Sequence, residues 1–191
     1  MPARSSYAKL LARFQSFWRD TEASQILEFA VALPLLAVFI VGIYDFSGAF
    51  NLRQKLSNAA REAALLGANQ LTSDLDDDTT PVSILAIRDE IDSYLLAAQV
   101  NDCGLGNPTL SSTAVMTWTA SGSCTRASSF TVTIERGYAT LTSAGEKVLC
   151  TRVSLSYPYQ WRFNSIIQTL VPGASYGNVQ ITTVSTFPNM N

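Results

Sequence analysis

Histidine is absent from the 191-residue sequence. That absence excludes Ser-His-Asp triads, histidine-liganded zinc and imidazole general bases. Charge is scarce as well: Asp, Glu, Lys and Arg make up 15% of the chain, with a net charge of −2. About a quarter is usual, and this balance gives no electrostatic footprint for nucleic acid. Hydrophobic residues at 47% exclude general disorder, which needs low hydrophobicity and high net charge. The length is that of about one domain, too little for a multi-domain enzyme. Cysteine is limited to Cys103, Cys124 and Cys150, spaced too widely for a C-x-x-C redox pair or a Cys-rich zinc site. An odd count permits at most one bridge within the chain, and that bridge requires an oxidising compartment.

Catalytic motifs are missing too. Without histidine the many Ser and Thr residues have no base partner, and there is no G-x-S-x-G elbow. Gly104-Leu105-Gly106 lacks the third glycine and the following helix of a phosphate loop. Glu135 and Glu146 stand isolated along the sequence. The acidic stretch Thr72–Thr80, TSDLDDDTT, lacks the turn glycine and closing glutamate of a calcium loop and reads as a solvated linker over 71–80. The chain is therefore expected to be non-enzymatic, with no metal and no cofactor.

From Phe29 to Tyr44 the sequence carries no charge: FAVALPLLAVFIVGIY. At ~1.5 Å per residue this run is about 24 Å long, close to a bilayer's roughly 30 Å hydrocarbon core. Ile26 and Leu27 before it, and Phe46 to Phe50 after it, extend the apolar stretch. Glu28 and Asp45 then fall near its two ends, each about 13 Å from the middle. A single transmembrane helix is the reading that fits. A buried core helix is one rival. A cleavable signal is the other, but Tyr44-Asp45-Phe46 is a poor cleavage site.

Leu52, Leu56, Ala59, Ala63 and Leu66 continue the helical period. One helix is predicted over about 24–70, its first half in lipid and its second half clear of it. Pro34 cannot donate a backbone hydrogen bond and crowds the carbonyl of Ala30, so a kink is expected there. Lys9, Arg13 and Arg19 on one side are matched by Arg53, Lys55 and Arg61 on the other. Charge alone does not orient the helix. Residues 3–19 form a short basic amphipathic segment, suited to an anionic membrane face or simply a leader.

A second helix is predicted from Thr80 as cap and Pro81 as first residue, with Ile84, Ile87, Ile91, Tyr94, Leu95 and Ala98 as its apolar stripe. After Asn101 the period becomes two. Strands are predicted around 113–119, 129–135, 150–157 and 179–183, each with one apolar and one Thr/Ser face. The fold class is α+β: a long membrane helix, a second helix and an antiparallel sheet of about four strands, covered on one face by the helices. Pro158 to Pro172 holds Tyr159, Trp161 and Phe163, followed by Ile166, Ile167 and Leu170. Such a cluster packs under the sheet or meets a partner subunit or the membrane surface. A simple meander of the first three strands puts Cys103 and Cys150 at one end and Cys124 about 24 Å away. That favours Cys103–Cys150 over the other two pairings, a reduced chain being the alternative.

Arg19 to Phe29 reads RDTEASQILEF. A glutamate four residues after a small residue, followed by phenylalanine and a long apolar helix, resembles the processing site of type IV pilin-like precursors. The resemblance implies a membrane aspartyl prepilin peptidase cutting between Ala23 and Ser24, with alanine where glycine is usual. Glu28 would become the fifth residue of the mature chain, one turn from the new α-amino group of Ser24. The string EFAVALPLL, then Asp45-Phe46, then Ala59-Ala60-Arg61-Glu62-Ala63-Ala64, is similar to the TadE-like family, and so is the β-rich tail with Ser156-Tyr157-Pro158-Tyr159. Those are pseudopilins of tight-adherence (Flp, type IVb) pilus systems. The resemblance implies a structural or assembly subunit of a pilus or secretion apparatus, with other pilin subunits and the peptidase as partners. It places residues 1–23 as a cytoplasmic leader, 24–70 as the helix through the bacterial inner membrane, and 81–191 as the periplasmic or extracellular domain. The alternative is a single-pass envelope protein whose β-domain binds a ligand while the helix anchors it.

Overall fold

The computed structural model describes residues 21–76, 80–107, 110–124, 129–143, 145–161 and 179–190, with Phe163, Gln168, Gly173 and Gly177 besides. The basic segment 3–19 and the trio Ile166, Ile167 and Leu170 lie outside the described residues.

A single helix, α1, spans Thr21–Asn69 and continues unbroken through Pro34. At ~1.5 Å per residue it is about 73 Å long. A 3₁₀ turn at Ser73–Asp76 leads to α2, Val82–Ala97. Five strands follow: β1 Ser111–Ala114, β2 Thr117–Ser123, β3 Ser129–Leu141, β4 Lys147–Tyr159 and β5 Val179–Pro188. They form one antiparallel sheet in the order β1-β2-β3-β4-β5. The α+β expectation holds, with five strands instead of about four.

The core is a two-layer packing of α1 and α2 on one face of the sheet. α1 contributes Leu56, Ala59, Ala60, Ala63 and Ala64; α2 contributes Ile84, Ile87, Ile91 and Leu95; the sheet contributes Phe130, Val132, Ile134, Val153 and Leu155. The alanines matter because a small side chain lets the α1 backbone approach its neighbours closely. At Gly67 even a methyl would crowd: a Cβ there lies 2.7 Å from Ile87 Cδ1 and 2.8 Å from Thr151 Cγ2. The opposite face of the sheet is the Thr/Ser face, crossed by the Arg152–Glu135 ion pair at 3.5 Å.

The start of α2 differs from expectation. Pro81 is the N-cap residue, and no side chain of its own caps the helix. The orphan donor is met from the 3₁₀ turn instead: Ser83 donates its N–H to Asp74 at 2.8 Å and its hydroxyl to the same carboxylate at 3.1 Å. A carboxylate at a helix N-terminus is favoured by the aligned peptide dipoles. The acidic stretch is thus partly tied to the fold.

The far end of α1 is closed by one local bond and two long-range ones. Gln70 N–H donates to Gly67 O, Met190 N–H to Ala68 O, and Arg136 Nη2 to Gln70 O at 2.9 Å. Arg136 is almost fully buried, at the position where β3's alternation calls for a core residue. It places a cation at the negative end of the helix. Burial pulls its proton affinity below the ordinary value, and nearby Asp74 opposes that.

The first predicted strand is corrected. Residues 113–119 are not one strand but a hairpin: Ala114 pairs with Thr117, and Val115 and Met116 form the turn. Met116 adopts φ 54°, a conformation usually left to Gly or Asn. This reversal also corrects the cysteines. The bridge is Cys103–Cys124, with Cα atoms 4.6 Å apart, and Cys150 is a buried free thiol. The extra reversal returns the 101–107 loop to the end of β2, where the space beside Gly122 is filled by Cys103. Cys150 sits opposite Tyr138, whereas Ser123 sits opposite Ser129. Tyr138 and Ser129 are nine positions apart on β3, roughly 30 Å at ~3.4 Å per residue, so Cys103–Cys150 is out of reach.

Two outcomes follow from this packing. A non-reducing peptide map gives Cys103 linked to Cys124, and Cys124→Ser lowers the unfolding free energy by about 2–4 kcal/mol; linkage through Cys150 would contradict the hairpin. The second concerns Asp92, whose carboxyl lies close to that of Asp102. Burial, then Asp102, then Asp89 raise its pKa, against a smaller lowering from Arg88. A raised folded-state pKa means that stability is lost as pH climbs through the carboxylate range. Asp92→Asn therefore raises Tm at pH 7, and the gain shrinks as pH falls below that range.

Candidate functional site

The site is the first two-thirds of α1 and the surface on which it docks. Ala23 lies in the first turn of the helix. Ser24, Glu28 and Phe29 are all exposed, on a part of the helix that no other described residue covers. Pro34 is exposed within the same stretch. The most apolar 18-residue stretch of α1 buries nothing against the rest of the chain. Ile26, Phe29, Leu33, Leu36, Phe39 and Ile43 are all exposed. A soluble core helix would bury these side chains, so the rival reading of a buried helix fails. What remains is one helix long and apolar enough to cross a membrane.

At Asp45 the helix changes surroundings. Asp45 is only 4% exposed although Tyr44 and Phe46 on either side are 57% and 67% exposed. A buried carboxylate needs partners, and the aromatic connection supplies one. Phe163 donates its backbone N–H to Asp45 Oδ2 at 3.4 Å, while Tyr159 donates its hydroxyl to the Asp45 carbonyl at 3.0 Å. Rings close around this pair: Tyr44 meets Phe163 at 5.6 Å, Phe46 meets Trp161 at 5.3 Å, and Trp161 meets Tyr159 at 5.3 Å, all edge-to-face. Such pairs add about 0.5–1.5 kcal/mol each beyond their burial. Gly48 leaves room for the Tyr159 hydroxyl, which would stand 3.0 Å from a Cβ at that position. The aromatic cluster thus packs against the helix just where it leaves the apolar stretch.

Nearly three turns beyond Asp45, Lys55 donates from Nζ to Ala98 O at 2.7 Å, supplying a cation to the C-cap of α2. From Leu56 onward the inward face of α1 is fully buried. The junction at Asp45 therefore separates a half suited to lipid from a half that belongs to the protein core.

Residues 23–65 match the family model of TadE-like proteins. No curated protein and no solved structure is significantly similar to the chain.

The TadE-like segment begins at Ala23, holds the whole exposed apolar face, passes through Asp45 and ends among the docked alanines. It bears out the resemblance read from EFAVALPLL, Asp45-Phe46 and Ala59–Ala64. Within the TadE-like helix, Ser24 and Glu28 share one face at i, i+4 spacing, and Phe29 and Pro34 lie further along. Among the described residues, nothing from another part of the chain meets them. The two remaining candidates, Cys103 and Cys150, lie in the sheet domain and are not joined. Three contributors escaped the sequence: the Asp45 clamp, the Lys55 cap and the buried Arg136. A lone aspartate ending an apolar run, and an aromatic-dense loop, were the only signals for the first.

Tyr159→Phe removes the hydroxyl donated to the Asp45 carbonyl and should cost about 0.5–1.5 kcal/mol. Asp45→Ala keeps the carbonyl that Tyr159 bonds but strips the side-chain partner of the Phe163 N–H, and should cost about 1–3 kcal/mol. Thermal melts of the detergent-solubilised chain followed by Trp fluorescence measure both. Two unchanged melting temperatures would show that the clamp does not hold the helix.

Proposed function

We propose that this chain is a minor pilin or pseudopilin, a non-enzymatic structural or assembly subunit of a tight-adherence (Flp, type IVb) pilus or a related secretion apparatus. The observation that carries the reading is the TadE-like match over 23–65, coincident with a helix exposed through its apolar half and docked through its alanine half. A subunit of this shape anchors by the first half and presents a folded head on the second.

Orientation has support independent of charge. Cys103–Cys124 is a bridge, and bridges persist on the oxidising side of a membrane. In this proposal the sheet domain faces the periplasm or exterior, and the leader 1–23 faces the cytoplasm of a bacterial inner membrane. A prepilin peptidase cuts between Ala23 and Ser24. The new α-amino group, with a reference pKa of about 7.7–8.0, then stands one helical turn from Glu28, or meets the Glu28 of a neighbouring subunit. A carboxylate near the edge of the hydrocarbon core gains most from a cation where the dielectric is low. The pairing fixes subunit register, and a bend at Pro34 lets the lower helix follow its neighbours.

Sequencing the mature N-terminus and mutating two positions test this. The mature chain should begin at Ser24, Ala23→Trp should block the cut, and Glu28→Ala should leave the protein membrane-inserted but unable to enter pili. Normal piliation with Glu28→Ala, or a native chain beginning at residue 1 or 2, would sink the proposal. A chain that starts there yet binds a soluble ligand through its sheet would support the ligand-binding envelope protein instead.

A further inference from the structure

Beside the Asp45 junction lies an open cleft of about 460 Å³, walled by α1, the residues that follow α2 and the end of β4. Its polar walls are Tyr44, Asn51, Lys55, Gln99, Asn101 and Tyr157. Among the described residues that line it, Lys55 is the one charged side chain. One of the three Lys55 N–H bonds goes to Ala98 O, leaving two donors. The Tyr157 hydroxyl is already donated to Asn101 O at 2.9 Å, with Asp102 acting on it from behind that wall; the cation, the amides and the Tyr44 phenol that the cleft offers are matched to a phosphate.

Its depth narrows the choice. Asn51 lies six residues beyond Asp45 and Lys55 ten, about 9 Å and 15 Å along the helix, so Asn51 stands at the outer edge of a headgroup layer roughly 5–8 Å thick, and the Lys55 stem, tilted back toward the start of the helix, reaches toward it from beyond. The cleft also opens toward lipid. Ser47 lines both it and an apolar groove formed by Val38, Phe39, Gly42, Ile43, Phe46 and Phe50. Asn51, Ser47, Ile43 and Phe39 follow one another at spacings of four, a continuous row on the helix surface. Gly42 leaves open space beside that row, with nothing within 4 Å of a Cβ placed there.

We propose that the cleft binds the phosphate headgroup of an anionic glycerophospholipid from the leaflet where the helix emerges, with an acyl chain lying along the Ser47–Ile43–Phe39 row. This rests on the membrane-anchor reading of α1. A partner's apolar helix fits the site less well, since it would leave the Lys55 ammonium and three amides facing apolar side chains.

The test uses the full chain in lipid nanodiscs made with phosphatidylglycerol, phosphatidylcholine or an equal mixture, with retained lipid counted by native mass spectrometry after release. Retention of phosphatidylglycerol should exceed that of phosphatidylcholine by about five-fold, the size expected of one lysine at an anionic surface. Millimolar inorganic phosphate should not displace it, because the acyl chain contributes to binding. Gln99→Glu puts an anion in the cleft without removing any hydrogen bond described for the Gln99 side chain, and should abolish the preference with an unchanged melting temperature. Lys55→Gln should abolish the preference too, with a lower melting temperature because the bond to Ala98 O is lost. Equal retention of the two lipids, full displacement by phosphate, an unaltered preference in Gln99→Glu, or a second copy of the chain in place of lipid would each overturn the site. Failure of the chain to enter nanodiscs at all would instead overturn the membrane anchor beneath it.

Discussion

One unbroken helix has to satisfy two solvents. Its backbone solves the first half of the problem almost unaided, since the interior N–H and C=O groups are bonded within the helix, Ala30 O opposite Pro34 excepted, and need nothing from lipid. The side chains divide the remainder. Up to Phe46 they are large, apolar and turned outward; from Leu56 the inward face is alanine, leucine and glycine packed on α2 and the sheet. Between these regimes the register of helix against sheet must be fixed, because a slide of one turn would carry lipid-facing side chains into the core. Asp45 fixes it at the lower end, through Tyr159 and Phe163. Met190 and Arg136 fix it at the upper end, through the carbonyls of Ala68 and Gln70. The docked part from Asp45 to Gln70 is about 37 Å long and is held at both extremities.

How much of this could be read beforehand depended on the range of the interaction. The helix was legible because its signals are local: an uncharged run, then apolar residues every three or four positions. The α2 stripe of Ile84, Ile87, Ile91 and Leu95 was legible for the same reason and is wholly buried. The hairpin at Val115–Met116 was not. Neither residue is a customary turn former, and Ala114, Met116 and Trp118 keep the period-two alternation running through the reversal. That one turn reversed the direction of everything before it, and with it the cysteine pairing. The Asp45 clamp was equally hidden, because the residues that meet there are 114 and 118 positions apart. No spacing rule reaches that far.

Arg136 shows the limits of the alternation rule from the other side. Phe130, Val132 and Ile134 precede it at period two, so position 136 faces the core, yet the residue there is charged. Its Nε and Nη1 have no hydrogen-bond partner among the described residues, which makes it costly by itself. What offsets part of the cost is the end of α1, where Nη2 donates to Gln70 O and the cation meets the negative end of the helix. The β-bulge between Glu135 and Tyr138 belongs to the same device. Gly137 lies against Met116 there, its Cβ position 2.8 Å from the sulfur, while the Arg136 backbone bonds both Met116 O and the Asn189 amide. Helix end, hairpin turn and last strand thus converge on one arginine.

The recognisable part of the chain and its folded head answer to different constraints. A sheet face needs alternation, and many sequences alternate; even its ion pair, Arg152 with Glu135, is a partly exposed contact of the kind that contributes little. The helix has no such latitude. Each position between Ala23 and Leu65 must suit lipid, the junction or a close-packed alanine contact, and these demands follow one another in a fixed order along a rigid rod. A sequence that meets all of them in order carries far more information per residue than one that alternates. That is a physical reason for the family match to stop at residue 65 although the structural contacts of α1 run on through Gly67, Ala68 and Gln70.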